Sequence, residues 1–86
     1  MKIEKDSHDG KTTIRLIGQF QSEDVEELKN QLQNNGPEFV LDLKEVTVVD
    51  VDVVRFLGRC KGDGVKIVNC SQYITKWIAR ERMIQH

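Results

Sequence analysis

The chain has 86 residues and a formal net charge of −1, with 13 Lys plus Arg against 14 Asp plus Glu. That length sustains one modest core, so a single domain over residues 1–86 is expected, and the near-neutral balance removes the electrostatic ground for a nucleic-acid or anionic-membrane partner. No apolar run reaches the length of a bilayer, so no membrane insertion is expected, and the charged, alternating start Met1-Lys2-Ile3-Glu4-Lys5-Asp6 is unlike a secretory leader. Cytoplasm is the expected location.

Two extended segments come first, over 2–5 and 12–17, around Ser7-His8-Asp9-Gly10; Asp-Gly between extended runs marks a hairpin. Ile14 and Leu16 alternate with Thr13 and Arg15, the period of a half-buried strand, and Gly18 breaks the pattern. A helix follows. Ser22 is placed to cap it, Glu23 and Asp24 suit its positive end, and Val25, Leu28 and Leu32 recur at helical spacing. Asn34-Asn35-Gly36-Pro37 is expected to end it, since Gly permits a left-handed cap and Pro cannot continue a helix.

Phe39-Val40-Leu41-Asp42-Leu43 reads as a central strand covered on both faces. A polar step, Lys44-Glu45, leads to Val46-Thr47-Val48-Val49 and then to Asp50. From there to Cys60 the spacing is helical, with Val54, Leu57 and either Cys60 or Lys61 as inward positions. Gly62-Asp63-Gly64 is a turn, and 65–68 is a further strand rich in β-branched residues. Ser71 then caps a helix in which Ile74, Trp77 and Ile78 share one face, a stripe read as core. The order is β-β-α-β-α-β-α. An opening hairpin followed by alternating strands and helices predicts an α/β fold with a mixed four-stranded sheet and crossover helices.

The side-chain inventory argues against catalysis. Cys60 and Cys70 are isolated and read as buried free thiols. His8 and His86 have no ligand partner at metal spacing, so neither a metal nor another cofactor is expected. Residues 58–64 hold three glycines but lack both the spacing of a phosphate loop and the strand that precedes one. Cys60 has no histidine placed to activate it, and Asp50 with Asp52 has no accompanying electrophile-binding group. Lys76, Arg80 and Arg82, with Arg55 and Arg59, read as scattered solvated charge, with a phosphate or acidic-partner contact as the lesser alternative. The expectation is a protein that is not an enzyme.

Leu16-Ile17-Gly18 before a capped helix, then the run from Val40 through Leu41-Asp42-Leu43 and Val46 to Asp50, with Leu57-Gly58-Arg59 and the strand at 65–68 in place, resemble the STAS family. These are small domains typified by bacterial anti-sigma factor antagonists. The similarity runs roughly from Ile14 to Ile78. It implies helices packed mainly on one face of the sheet and a non-catalytic regulatory role exerted by docking onto a protein. Members with that role carry Asp-Ser-Ser-Gly or Asp-Ser-x-Gly at the start of the second helix, where a partner kinase phosphorylates a serine. Here the segment is Asp50-Val51-Asp52-Val53. Asp52 stands at the phosphoacceptor position (Val51 if the neighbouring serine is compared), Val53 replaces the Gly, and Gln21 replaces an Asp common before the first helix. Neither Asp52 nor Val51 can accept phosphate from a serine kinase.

The resemblance therefore implies a docking surface made of residues 19–22, the 49–53 junction and the helix start through Phe56. Its candidate contacts are Gln21, Ser22, Val51, Asp52, Val53 and Phe56. Asp50 is read as an N-cap. Asp52 is either a first-turn acid or a fixed negative charge at the degenerate phosphosite, Val53 is expected to be exposed, and Phe56 is assigned equally to core or interface. The implied partners are an anti-sigma-type kinase, a larger signalling assembly, or the ATPase of a lipid-transport complex. A small-ligand carrier and a self-pairing homodimer are the alternatives from other classes.

Overall fold

The computed structural model describes residues 1–33 and 38–84. The helix stop expected at Asn34-Asn35-Gly36-Pro37 and the terminal His86 lie outside the described residues. Strands β1 (Lys2–His8) and β2 (Lys11–Phe20) pair antiparallel down to His8 opposite Lys11. They close through Asp9 and Gly10, whose φ angles of 53° and 77° are both left-handed. Two consecutive left-handed residues make the turn whose twist matches that of the strands, which is why Asp-Gly marks it. The hairpin is longer than the apolar alternation indicates, because exposed polar residues complete the ladder.

A turn of 3-10 helix, Ser22–Asp24, leads into α1 (Val25–Gln33); β3 (Phe39–Val49), α2 (Val51–Gly62), β4 (Lys66–Val68) and α3 (Gln72–Ile84) complete the order. The sheet runs β1-β2-β3-β4, with β2, β3 and β4 parallel to one another. The elements are those expected, but two boundaries differ. Gly18 does not end β2: the strand continues to Phe20 with Gly18 at φ 95°. Val46–Val49 is not a separate segment either. It belongs to β3, whose register against β2 slips between Arg15 and Ile17 and again between Gly18 and Gln19.

Each slip inserts one extra residue on β3, and each reverses which parity points inward. Leu41 is buried before the first slip and Leu43 as it begins, Val46 packs against the core after it, and Val49 is buried after the second. The bulge is at Leu43-Lys44, which fall between the pairs Arg15–Asp42 and Ile17–Glu45, so Lys44-Glu45 lies within a continuous strand. Val48 is left half exposed for the same reason.

The core is one cluster on one face of the sheet. Ile14, Leu16, Phe20, Leu41 and Leu43 from the strands meet Leu28 and Leu32 of α1, Val53, Val54, Phe56, Leu57 and Cys60 of α2, and Ile74 and Ile78 of α3. Each fully buried Leu, Ile or Phe contributes on the order of 1.5–3 kcal/mol. The expectation that β3 is covered on both faces is corrected here. Its other face carries Asp42, which lies near Arg15 Nε at 3.9 Å while Arg15 Nη1 reaches Glu4 Oε1 at 3.5 Å, a polar ladder across three strands. An apolar run in a strand signals burial on both sides only if every other residue is also apolar, and Asp42 breaks that condition. The amide of Lys44 donates to Asp42 and holds its carboxyl below the usual range, helped by the Asn69 side chain and by the charges of Arg15 and Lys44 against the opposing effect of desolvation.

Candidate functional site

Phe20 and Val49 face each other at the carboxyl ends of the parallel pair β2 and β3, and both are buried. Just beyond them the chain turns twice, once into the 3-10 turn and α1, once into α2. In open sheets with parallel strands this end is where ligands and partners are met. The two turns are tied together by side chains.

Asp50 caps α2 as its sequence position indicates: its Oδ1 accepts from the amide of Val53 at 3.2 Å, and its carbonyl accepts from Val54 at 3.0 Å. Its other oxygen, Oδ2, accepts from the backbone N–H of Ser22 at 2.6 Å and from the Ser22 hydroxyl at 2.7 Å. The same hydroxyl oxygen stands 2.7 Å from Oδ2 of Asp52. One hydroxyl hydrogen thus lies between two carboxylates, and it screens them from each other. Desolvation pushes the Asp50 carboxyl upward. The Ser22 hydroxyl and the amides of Val53, Ser22 and Asp52 outweigh it and hold Asp50 below the ordinary carboxylate range.

Ser22 is therefore not the N-cap expected for the first helix. Gln21 holds that position, with its backbone carbonyl accepting from Asp24 N at 2.8 Å and its backbone N–H donating to Asp24 Oδ2 at 2.8 Å. Ser22 is spent on cross-linking the two helix starts instead, a long-range role invisible to local spacing.

Of the six candidate contacts, Gln21, Ser22 and Asp52 are exposed and Val51 is half-buried, all on this rim. Val53 is not exposed as expected: it retains 1 % of its surface and belongs to the core. Phe56 is also core, at 7 %. Both turn inward because α2 buries an unusually wide stripe, Val53, Val54, Phe56, Leu57 and Cys60, between the sheet on one side and its helical neighbours on the other. Their contribution to a surface is to hold Val51 and Asp52 from beneath.

A hollow of about 440 Å3 opens beside the rim, lined by Ser22, Val25, Glu26, Asp52, Arg55 and Arg59. Spacing alone makes the two arginines scattered solvated charge. Arg55 is in fact paired across helices, its Nε donating to Glu81 Oε1 at 2.9 Å, with the Glu81 side chain largely enclosed. A pair separated by 26 residues leaves no local sequence signal. The chemistry available here is polar recognition. Burial pushes the Cys60 thiol up to about 11, with Asp63 adding to the shift against Arg59, which leaves little thiolate near neutrality. Cys70 is half-buried rather than buried. His8 lies at the hairpin end of β2, the opposite end from Phe20. No helix among the described residues is long and apolar enough to cross a membrane.

A four-stranded mixed sheet with its helices on one face, and a pinned helix start at the carboxyl ends of its parallel strands, has the STAS fold. The particular likeness is to the anti-sigma factor antagonist SpoIIAA in its unphosphorylated form: a TM-score of 0.67 over 99 % of this chain and 100 % of that one, at 15 % sequence identity. The likeness is one of fold. No family model and no curated protein matches the sequence.

Proposed function

We propose that this chain is a single, non-catalytic STAS-type regulatory module that acts in the cytoplasm by docking onto a protein partner through the rim of Gln21, Ser22, Val51 and Asp52. The observation that carries the reading is the Ser22–Asp50–Asp52 cross-link. It joins two segments far apart in sequence into one rigid edge at the carboxyl ends of β2 and β3. Preorganised edges of this kind bind without a large ordering cost. Likeness of fold to an anti-sigma factor antagonist supports the same class of role, and an anti-sigma-type kinase, a signalling assembly or a transporter ATPase are the partners it suggests.

The switch in this reading differs from a serine phosphorylation cycle. Asp52 occupies the position of the phosphoacceptor and cannot take phosphate from a serine kinase. Its carboxylate shares the one Ser22 hydroxyl hydrogen with Asp50. A phosphate brings roughly −1.5 to −2 charge and three acceptor oxygens, so Asp52 supplies a weaker, permanent mark.

The test is capture of binding partners from the native host by the full chain, comparing wild type with Val51→Glu, Asp52→Arg and Asp52→Asn, and with Arg15→Gln on the open sheet face as control. One partner retained by Arg15→Gln and lost with Val51→Glu and Asp52→Arg, in variants that remain folded by circular dichroism, supports the rim as the docking surface. A partner indifferent to both rim variants, or no partner, rejects it. Equal affinity of wild type and Asp52→Asn would show that the charge of Asp52 sets nothing.

A further inference from the structure

The helical layer is electrically divided. Residues 22–33 carry four acids and one lysine, whereas α2 and α3 together carry six bases and two acids. Between α2 and α3 lies an open cleft of about 450 Å3, whose charged lining is Arg55, Arg59, Arg82, Glu81 and Asp63. Arg55 and Glu81 satisfy one another at 2.9 Å. That leaves Arg59 and Arg82, neither of whose guanidinium groups has a hydrogen bond or ion pair with another described residue. Asp63, exposed at the end of α2, offsets only one of these two charges.

The floor explains how both arginines address the same space. Gly58 lies where α3 crosses, so close that a Cβ there would stand 3.4 Å from Arg82 Cγ. At Gly62 a Cβ would stand 3.8 Å from Arg82 Nη2. The stem of Arg82 is thereby laid along a stretch of α2 without side chains, with its guanidinium brought to the turn of helix that also bears Arg59. Two unpaired guanidinium groups on one cleft repel each other until an anion lies between them. A carboxylate accepts from more than one guanidinium but brings one charge and two oxygens; a phosphate group brings up to two charges and at least three oxygens, and so serves two forks together more fully.

We propose that the α2–α3 cleft binds a phosphate-bearing small molecule, its phosphate held between Arg59 and Arg82 while Glu81 keeps Arg55 in place at the cleft wall. This site goes beyond the docking rim: it shares Arg55 and Arg59 with the hollow beside the rim, but Arg82, Gly58 and Gly62 belong to the α2–α3 side alone, and the variants that test it leave Gln21, Ser22, Val51 and Asp52 untouched.

Inorganic pyrophosphate titrated into the full chain at constant ionic strength, followed by the amide resonances of Gly58 and Gly62, tests the proposal. Saturable shifts at both glycines are expected. Arg59→Gln and Arg82→Gln should each weaken binding about tenfold, the factor associated with losing one charge-assisted hydrogen bond, while Arg15→Gln on the open sheet face binds as wild type. Shifts that do not saturate, or that sodium chloride alone reproduces, overturn the site. So does binding unchanged in both cleft variants, or weakened equally in Arg15→Gln.

Discussion

Ser22 donates both its backbone N–H and its hydroxyl to one carboxylate oxygen of Asp50, at 2.6 and 2.7 Å, across 28 residues of sequence. Removing the hydroxyl takes away more than one hydrogen bond, because the same oxygen stands between Asp50 and Asp52. Ser22→Ala is expected to lose about 1–2 kcal/mol of stability. Combined with Asp52→Asn, which removes one of the two facing charges, the loss should be smaller than the sum of the single losses. Urea denaturation of the four proteins in that cycle measures the coupling, and strict additivity would mean that the hydroxyl does not mediate between the carboxylates.

Asp50 and Asp42 each have a carboxyl held below its ordinary range in the folded chain. Groups shifted in that direction contribute fully above their unfolded pKa, about 4, and the contribution disappears as pH falls through the lower folded values. Thermal stability should therefore be level near neutrality and decline below about pH 4. Asp50→Asn should be less stable than wild type at neutral pH and lose less on acidification. Melting curves from neutrality down to about pH 2.5, below the unfolded carboxylate range, decide the matter. An Asp50→Asn protein as acid-sensitive as wild type would remove Asp50 from the account.

Val53 is a core residue, and its variants should behave accordingly. Val53→Ala is expected to cost about 2 kcal/mol through lost contacts and a residual cavity. Val53→Glu places an unpaired charge among Leu and Phe side chains and should abolish cooperative unfolding. A Val53→Glu protein that unfolds like wild type in denaturant would show that α2 is rotated from its present setting.

Gly58 sits inside α2, where glycine is unfavourable by about 1 kcal/mol relative to alanine. A methyl group there would meet Arg82 and Ile78 side chains at 3.4–3.7 Å, ordinary contact distances. Gly58→Ala should therefore stabilise the chain by about 0.5–1 kcal/mol, whereas Gly58→Leu should force α3 away and destabilise it by about 1–3 kcal/mol. Denaturant midpoints for the two variants check both signs. Destabilisation by alanine would mean that α2 and α3 pack more closely than these distances indicate.

What the sequence determined by itself was the part governed by local rules. The Asp9-Gly10 hairpin, the Asp50 and Ser71 caps, the inward positions Val54, Leu57, Ile74 and Ile78, and the order of strands and helices all follow from turn chemistry and from periods of two and 3.6 residues. The same rules fail where the tertiary structure alters the period. Two bulges in β3 make one strand look like two, since each extra residue flips the face, and Gly18 marks an irregularity within β2 rather than its end. Val53 and Phe56 are candidates for the surface only because a helix drawn alone has one buried stripe. With a sheet below and helices beside it, α2 has a wider one. The Ser22 cross-link, the Arg55–Glu81 pair and the meeting of Arg82 with Gly58 join positions with no sequence proximity. Side-chain hydrogen bonds and ion pairs are short-ranged in space and indifferent to separation along the chain, so only the packed fold could assign them.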